Sequence, residues 1–137
     1  MTLATLADDP SLGLPLPDDL ILWRRIPKDK VVRCSDADGI TKSRPSSDCF
    51  SDNLRDGSSM SVFDSKLSLG LESILEGHEG FGVVALTVGQ VRAEGMTVVR
   101  TKDGGSGHCE VVGKKTSGAR SRLAKAAVWV IEPALSS

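Results

Sequence analysis

Apolar residues along this chain fall in short runs, and clusters of Gly, Pro, Ser and Asp separate them. That is the spacing of short strands joined by turns. Residues 20–26 (LILWRRI) combine β-branched and aromatic side chains and stop at Pro27, which predicts a strand. Residues 30–34 (KVVRC) read as a second short strand or as the far side of a turn. Residues 60–63 (MSVF) and 96–101 (MTVVRT) suit strands, and a DGGSG turn joins the latter to a hairpin partner at 108–112 (HCEVV). The almost continuously apolar FGVVAL at 81–86 reads as a central strand. Helical spacing appears at Leu67, Leu71, Ile74 and Leu75, with Asp64 or Ser65 as the expected cap and Gly77 as the stop. Thr87 is placed to cap a short helix over 88–94 that Gly95 ends. Ser117 is the expected cap of the last helix, from Gly118 to about Ala127. Residues 128–131 either prolong that helix or form a final strand, and Pro133 closes the element.

Two stretches break the pattern. Residues 1–18 carry Pro10, Pro15 and Pro17 and read as a lead-in that Leu12, Leu14 and Leu16 dock on the core. Residues 35–59 are dense in turn-formers, with Phe50 as the anchor, and connections of this length often carry function. The expected architecture is α+β: one small domain over 19–133, a tail at 134–137, and a mixed, mostly antiparallel sheet of four to six short strands with two or three helices.

Composition narrows the function classes. Aromatics make up 4% of the 137 residues, with no Tyr, which argues against a surface that stacks bases on rings. The net charge is -1 but unevenly spread: nine Lys/Arg and fourteen Asp/Glu up to Gly80, then eight and four. Three cysteines without CxxC spacing, and no signal-like N-terminus, predict reduced thiols and a cytoplasmic protein. No segment approaches the roughly 20 apolar residues that span a bilayer, so no membrane partner is expected.

Candidate chemistry concentrates in GGSGHCEVVGKKTSGAR. Gly107-x5-Gly113-Lys114-Lys115-Thr116 approximates a phosphate-binding loop, but it has one residue too many between the glycines, and Lys115 stands where Ser or Thr should follow the lysine. A simpler anion site remains. Free amides at the start of the last helix, with Lys114, Lys115, Ser117 and Arg120, would attract negative charge, and Arg122, Lys125 and Trp129 would line one side. The same side chains also make an ordinary solvated helix face.

Cys49 in SSDCFSD and His108 heading HCEVV are the candidate nucleophile and base, with Arg44 and the serines of the 44–47 loop beside them. The pair resembles cysteine peptidases in which Cys opens a helix and His opens a downstream strand, although Asn53, Asp56 and Gly57 break the helix that should follow Cys49. His78, after Gly77, suits a helix C-terminus. Cys34, Cys49, His78, His108 and Cys109 lack the paired spacing of zinc sites, so neither metal nor cofactor is expected. Three functions follow. The first is a non-catalytic binding module for a phosphate-bearing ligand, such as nucleic acid, or for an acidic protein face. The second is a small enzyme or toxin-like domain using His108 with Cys49 or the 44–47 loop. The third is a structural subunit of a larger complex.

Overall fold

The first strand among the described residues lies in the interior of its sheet. In the computed structural model, which describes residues 16–35, 37–39, 41–52, 60–66, 70–101 and 107–133, β1 (Ile21–Ile26) pairs antiparallel with β4 (Met60–Asp64) on one side and β5 (Gly82–Thr87) on the other. Adding β7 (His108–Val112), β6 (Thr97–Arg100) and β8 (Val128–Ile131) gives a six-stranded antiparallel sheet in the order β6-β7-β4-β1-β5-β8. Between β1 and β4 the chain makes a separate hairpin, β2 (Val31–Ser35) with β3 (Thr41–Pro45), and one 3-10 turn, Ser47–Phe50. The helices are α1 (Leu71–Leu75), α2 (Val88–Ala93) and α3 (Ser117–Ala126). The expected α+β class is the observed one.

Alternation along the strands sorts side chains onto two faces. Leu22, Arg24 and Ile26 of β1 share a face with Val84 and Leu86, with Met60, Val62 and Asp64, and with Cys109 and Val111. Both long crossovers, β5–α2–β6 and β7–α3–β8, run over this side. Val88, Val91, Ala119, Leu123, Ala124 and the fully buried Phe50 complete its core. The opposite face carries Ile21, Trp23, Arg25, Ser61, Phe63, His108 and Glu110. Among the described residues, α1 is the helix that sits there, where Ile74 is buried and its carbonyl receives Arg25.

Local chemistry accounts for most boundaries. Thr87 accepts from the Gln90 amide while the Gln90 side chain accepts from the Thr87 amide, a reciprocal cap for α2. Gly95 then leaves the helix at φ 83°, a conformation that favours glycine. Gly82 is required for a different reason: a Cβ there would stand 2.6 Å from Pro133 Cδ.

Several expected details differ. Thr116, not Ser117, caps α3, accepting from the Ala119 amide. Asp64 and Ser65 do not cap α1, whose N-cap is Gly70; Asp64 ends β4 and is tied to Arg100 instead. Residues 128–131 are strand, because Val128, Val130 and Ile131 favour extended backbone and β5 offers an edge to pair with. Trp129 therefore leaves the helix stripe predicted for it and packs against the core. The polar TKSRP of β3 gave no strand signal, since its extension comes from pairing with β2. Leu12, Leu14, Leu67, the glycines 104 and 105 and the tail 134–137 lie outside the described residues; Leu16 is buried.

Candidate functional site

Two adjacent arginines separate the faces. Arg24 points into the core face, where its Nε donates to Cys49 O (3.0 Å) and its Nη1 to Ser61 O (2.7 Å). The β1–β4 pairing covers Leu22–Asp64 and Trp23–Phe63, and the Arg24 guanidinium bridges the strands just beyond it. Burial lowers its pKa to about 10. It is a strut, with its charge screened by carbonyl dipoles.

Arg25 points to the other side. Its Nη1 donates to Ile74 O (2.9 Å) and lies 3.2 Å from His78 Nδ1, which is itself 3.0 Å from Glu76 O, and its guanidinium carbon lies 5.1 Å from the centre of the Phe63 ring. Partial burial lowers its pKa. Among the described residues no carboxylate pairs with Arg25.

From Arg25 a row of contacts runs across the sheet. Phe63 meets the His108 ring edge-on, 5.6 Å between centres. His108 Nδ1 is 2.7 Å from Thr101 Oγ1, and Nε2 is 2.9 Å from Ser61 Oγ. At the other end His78 packs edge-on against Phe81, 5.0 Å between centres. The row thus links both histidines of the chain through Arg25 and Phe63. Continuing the β1–β4 register past Trp23–Phe63 sets Arg25 opposite Ser61, and Glu110 faces Ser61 from β7.

The residues singled out in the sequence are scattered. Cys49 is buried under the core face, its thiol 3.8 Å from Lys30 O and pushed up to about 11, chiefly by burial. His108 is on the opposite face, so the two do not form a nucleophile–base pair. Arg44 lies in β3 opposite Val32, and Ser46 accepts from the Asp48 amide to start the 3-10 turn. Cys109, next to His108 but on the core side, is likewise raised to about 11 by burial.

The cations around α3 are largely engaged. Lys115 Nζ lies 2.7 Å from Asp52 Oδ1 and donates to Gly113 O, with its side chain 4% exposed. Arg122 donates from Nε and Nη2 to one oxygen of Glu94, which holds that carboxyl below its usual range. Trp129 Nε1 donates to Ser43 O. Lys114, Lys125 and Ser117 are exposed, and Arg120 has a buried Nε without a hydrogen-bond partner among the described residues. No group of three or more His, Cys, Asp or Glu among the described residues could hold a metal ion, and no described helix is long and apolar enough to cross a membrane.

Arg25, Ser61, Phe63 and Thr101 were not legible as site residues. Thr101 reaches His108 through the predicted hairpin, whereas Arg25, Ser61 and Phe63 converge through strand order, since β4 lies between β1 and β7 without being next to either in sequence. The available hint was the alternation in LILWRRI, which sends Arg24 and Arg25 to opposite faces. Comparison with protein-family models, with curated proteins and with solved structures finds no match, so function is read from this geometry.

Proposed function

We propose that the protein is a small binding module whose ligand surface is the open side of the sheet, and that its ligand is phosphate-bearing. One observation carries this reading: the guanidinium of Arg25, half-buried and held by Ile74 O, His78 and Phe63, has no carboxylate partner among the described residues. A partly desolvated cation is normally paired, and a guanidinium fork fits phosphate through two parallel hydrogen bonds. Phosphate also has enough acceptor oxygens to engage a second donor on the row. Phe63 and its register partner Trp23 give the rest of the ligand an apolar floor. The sequence-based site at the start of α3 is less well supported, because Asp52 and Glu94 already occupy Lys115 and Arg122.

Isothermal titration with inorganic pyrophosphate tests the reading. Saturable binding that weakens with salt is expected, with a loss of about tenfold or more, equivalent to about 1.4 kcal/mol, in Arg25→Ala. Arg25→Lys keeps the charge but not the fork and falls between the two. Absence of binding, or binding indifferent to Arg25→Ala but lost in Lys114→Ala/Lys125→Ala, overturns it.

A further inference from the structure

The geometry points to Ser61 as a base-activated nucleophile that accepts an acyl group from a carboxylic ester, with His108 as its general base and Thr101 as the residue that positions the imidazole. This goes beyond ligand binding and uses neither the Arg25 guanidinium nor its anion.

Hydrogen-bond direction supports it. The Thr101 hydroxyl reaches both His108 O (3.3 Å) and His108 Nδ1 (2.7 Å), and in the arrangement where it donates to the carbonyl its oxygen accepts from Nδ1–H. A neutral imidazole has one N–H and one lone pair. With the proton on Nδ1, the lone pair is on Nε2, and the Ser61 hydroxyl 2.9 Å away donates to it. Hydroxyl, acceptor nitrogen and an oriented second nitrogen are the three parts of a serine nucleophile with its base. Among the described residues the Thr101 hydroxyl is the group that holds the second ring nitrogen. Rigid placement comes from the sheet: Ser61 and His108 stand on the paired strands β4 and β7, Thr101 directly follows β6, and Phe63 packs on the edge of the ring. Ser61 and His108 are both partly exposed on the open face, within reach of a substrate.

The reaction balances without a co-reactant other than water. Ser61 Oγ bonds to the acyl carbon as its proton passes to His108 Nε2. The bond to the leaving oxygen then breaks, and that oxygen departs with the proton as the alcohol. Water cleaves the acyl-serine by the same route, releasing the carboxylic acid and restoring the hydroxyl.

The test is covalent labelling of the intact protein with an uncharged fluorophosphonate, with peptide mapping by mass spectrometry, and turnover of p-nitrophenyl acetate. The label is expected on Ser61 and is expected to be lost in Ser61→Ala. His108→Gln is expected to slow labelling by about a hundredfold. Thr101→Val is expected to slow it while Thr101→Ser retains it, and nitrogen NMR of His108 is expected to show the Nδ1–H tautomer in the wild type and Thr101→Ser. Mapping on the wild type needs no variant to fold. Label found only on other serines, or a Ser61 label whose rate is indifferent to His108→Gln, overturns the proposal. Because the probe carries no anion, labelling is read independently of whether pyrophosphate binds.

Discussion

Arg24 and Arg25 are chemically identical neighbours on one strand, yet the sheet gives them opposite tasks. On the core face Arg24 has its donors on the carbonyls of Cys49 and Ser61 and stitches together β1, β4 and the 3-10 turn. On the other face Arg25 is held by Ile74, His78 and Phe63, with no carboxylate partner among the described residues. Both crossover helices run over the core face, whereas among the described residues α1 is the helix on the other. A polar group on the first side has to be satisfied by the protein itself; on the second, a ligand can do so.

Mutations can break that contrast in graded steps. The largest effect is expected from Phe50→Ala, which empties a fully buried position and costs about 4 kcal/mol in urea denaturation. Its open-face counterpart, Phe63→Ala, is expected to cost about 1 kcal/mol, the scale of the aromatic and cation–π contacts it removes. Equal losses at the two positions would contradict the division of labour. Next comes Asp64→Asn. Asp64 is 1% exposed and its Oδ2 lies 2.6 Å from Arg100 Nη1, so neutralising it strands a largely buried cation and costs about 3 kcal/mol.

The arginine pair itself follows. Arg24→Ala leaves two inward carbonyls without their donor and costs about 2 kcal/mol, whereas Arg25→Ala is expected to cost about 1 kcal/mol or less while removing pyrophosphate binding. Thermal melts and titration of both variants separate the two roles. The smallest effect concerns the buried thiols. Cys49 and Cys109 titrate near 11 in the fold against an ordinary 9.0, so between those values the unfolded chain loses these protons first. Their contribution is therefore complete below pH 9.0 and declines as pH rises toward about 11. Measured against a Cys49→Ala/Cys109→Ala double variant, the wild type is expected to lose relative stability over that window; a parallel pair of curves would contradict the raised values.

The sequence exposed the parts of the fold that local chemistry decides. Thr87 with Gln90 and Gly95 delimit α2 by capping and by a positive φ, and FGVVAL announces a buried strand by its unbroken apolarity. It concealed the parts that pairing decides. TKSRP becomes β3 because β2 lies beside it, and VWVI becomes β8 because β5 presents an edge. The same divide runs through the site. His108 stood out as one of two histidines beside a glycine-rich turn, and the predicted hairpin already sets Thr101 near it, but Ser61 comes from a distant stretch of chain that strand order brings within hydrogen-bond distance. Cys49 drew attention by its residue type, and the fold used it as a small apolar side chain.

The interior position of β1 has a consequence for biosynthesis. On a translating ribosome this strand emerges before either neighbour, and both of its hydrogen-bonding edges must wait for Met60–Asp64 and then Gly82–Thr87 to leave the exit tunnel. Closing such distant pairings is slow, so the nascent chain carries an uncovered, largely apolar ribbon until those segments emerge. Arg24 and Arg25, inside the strand, place like charge in that ribbon, a built-in deterrent to the self-association that an unpaired strand invites.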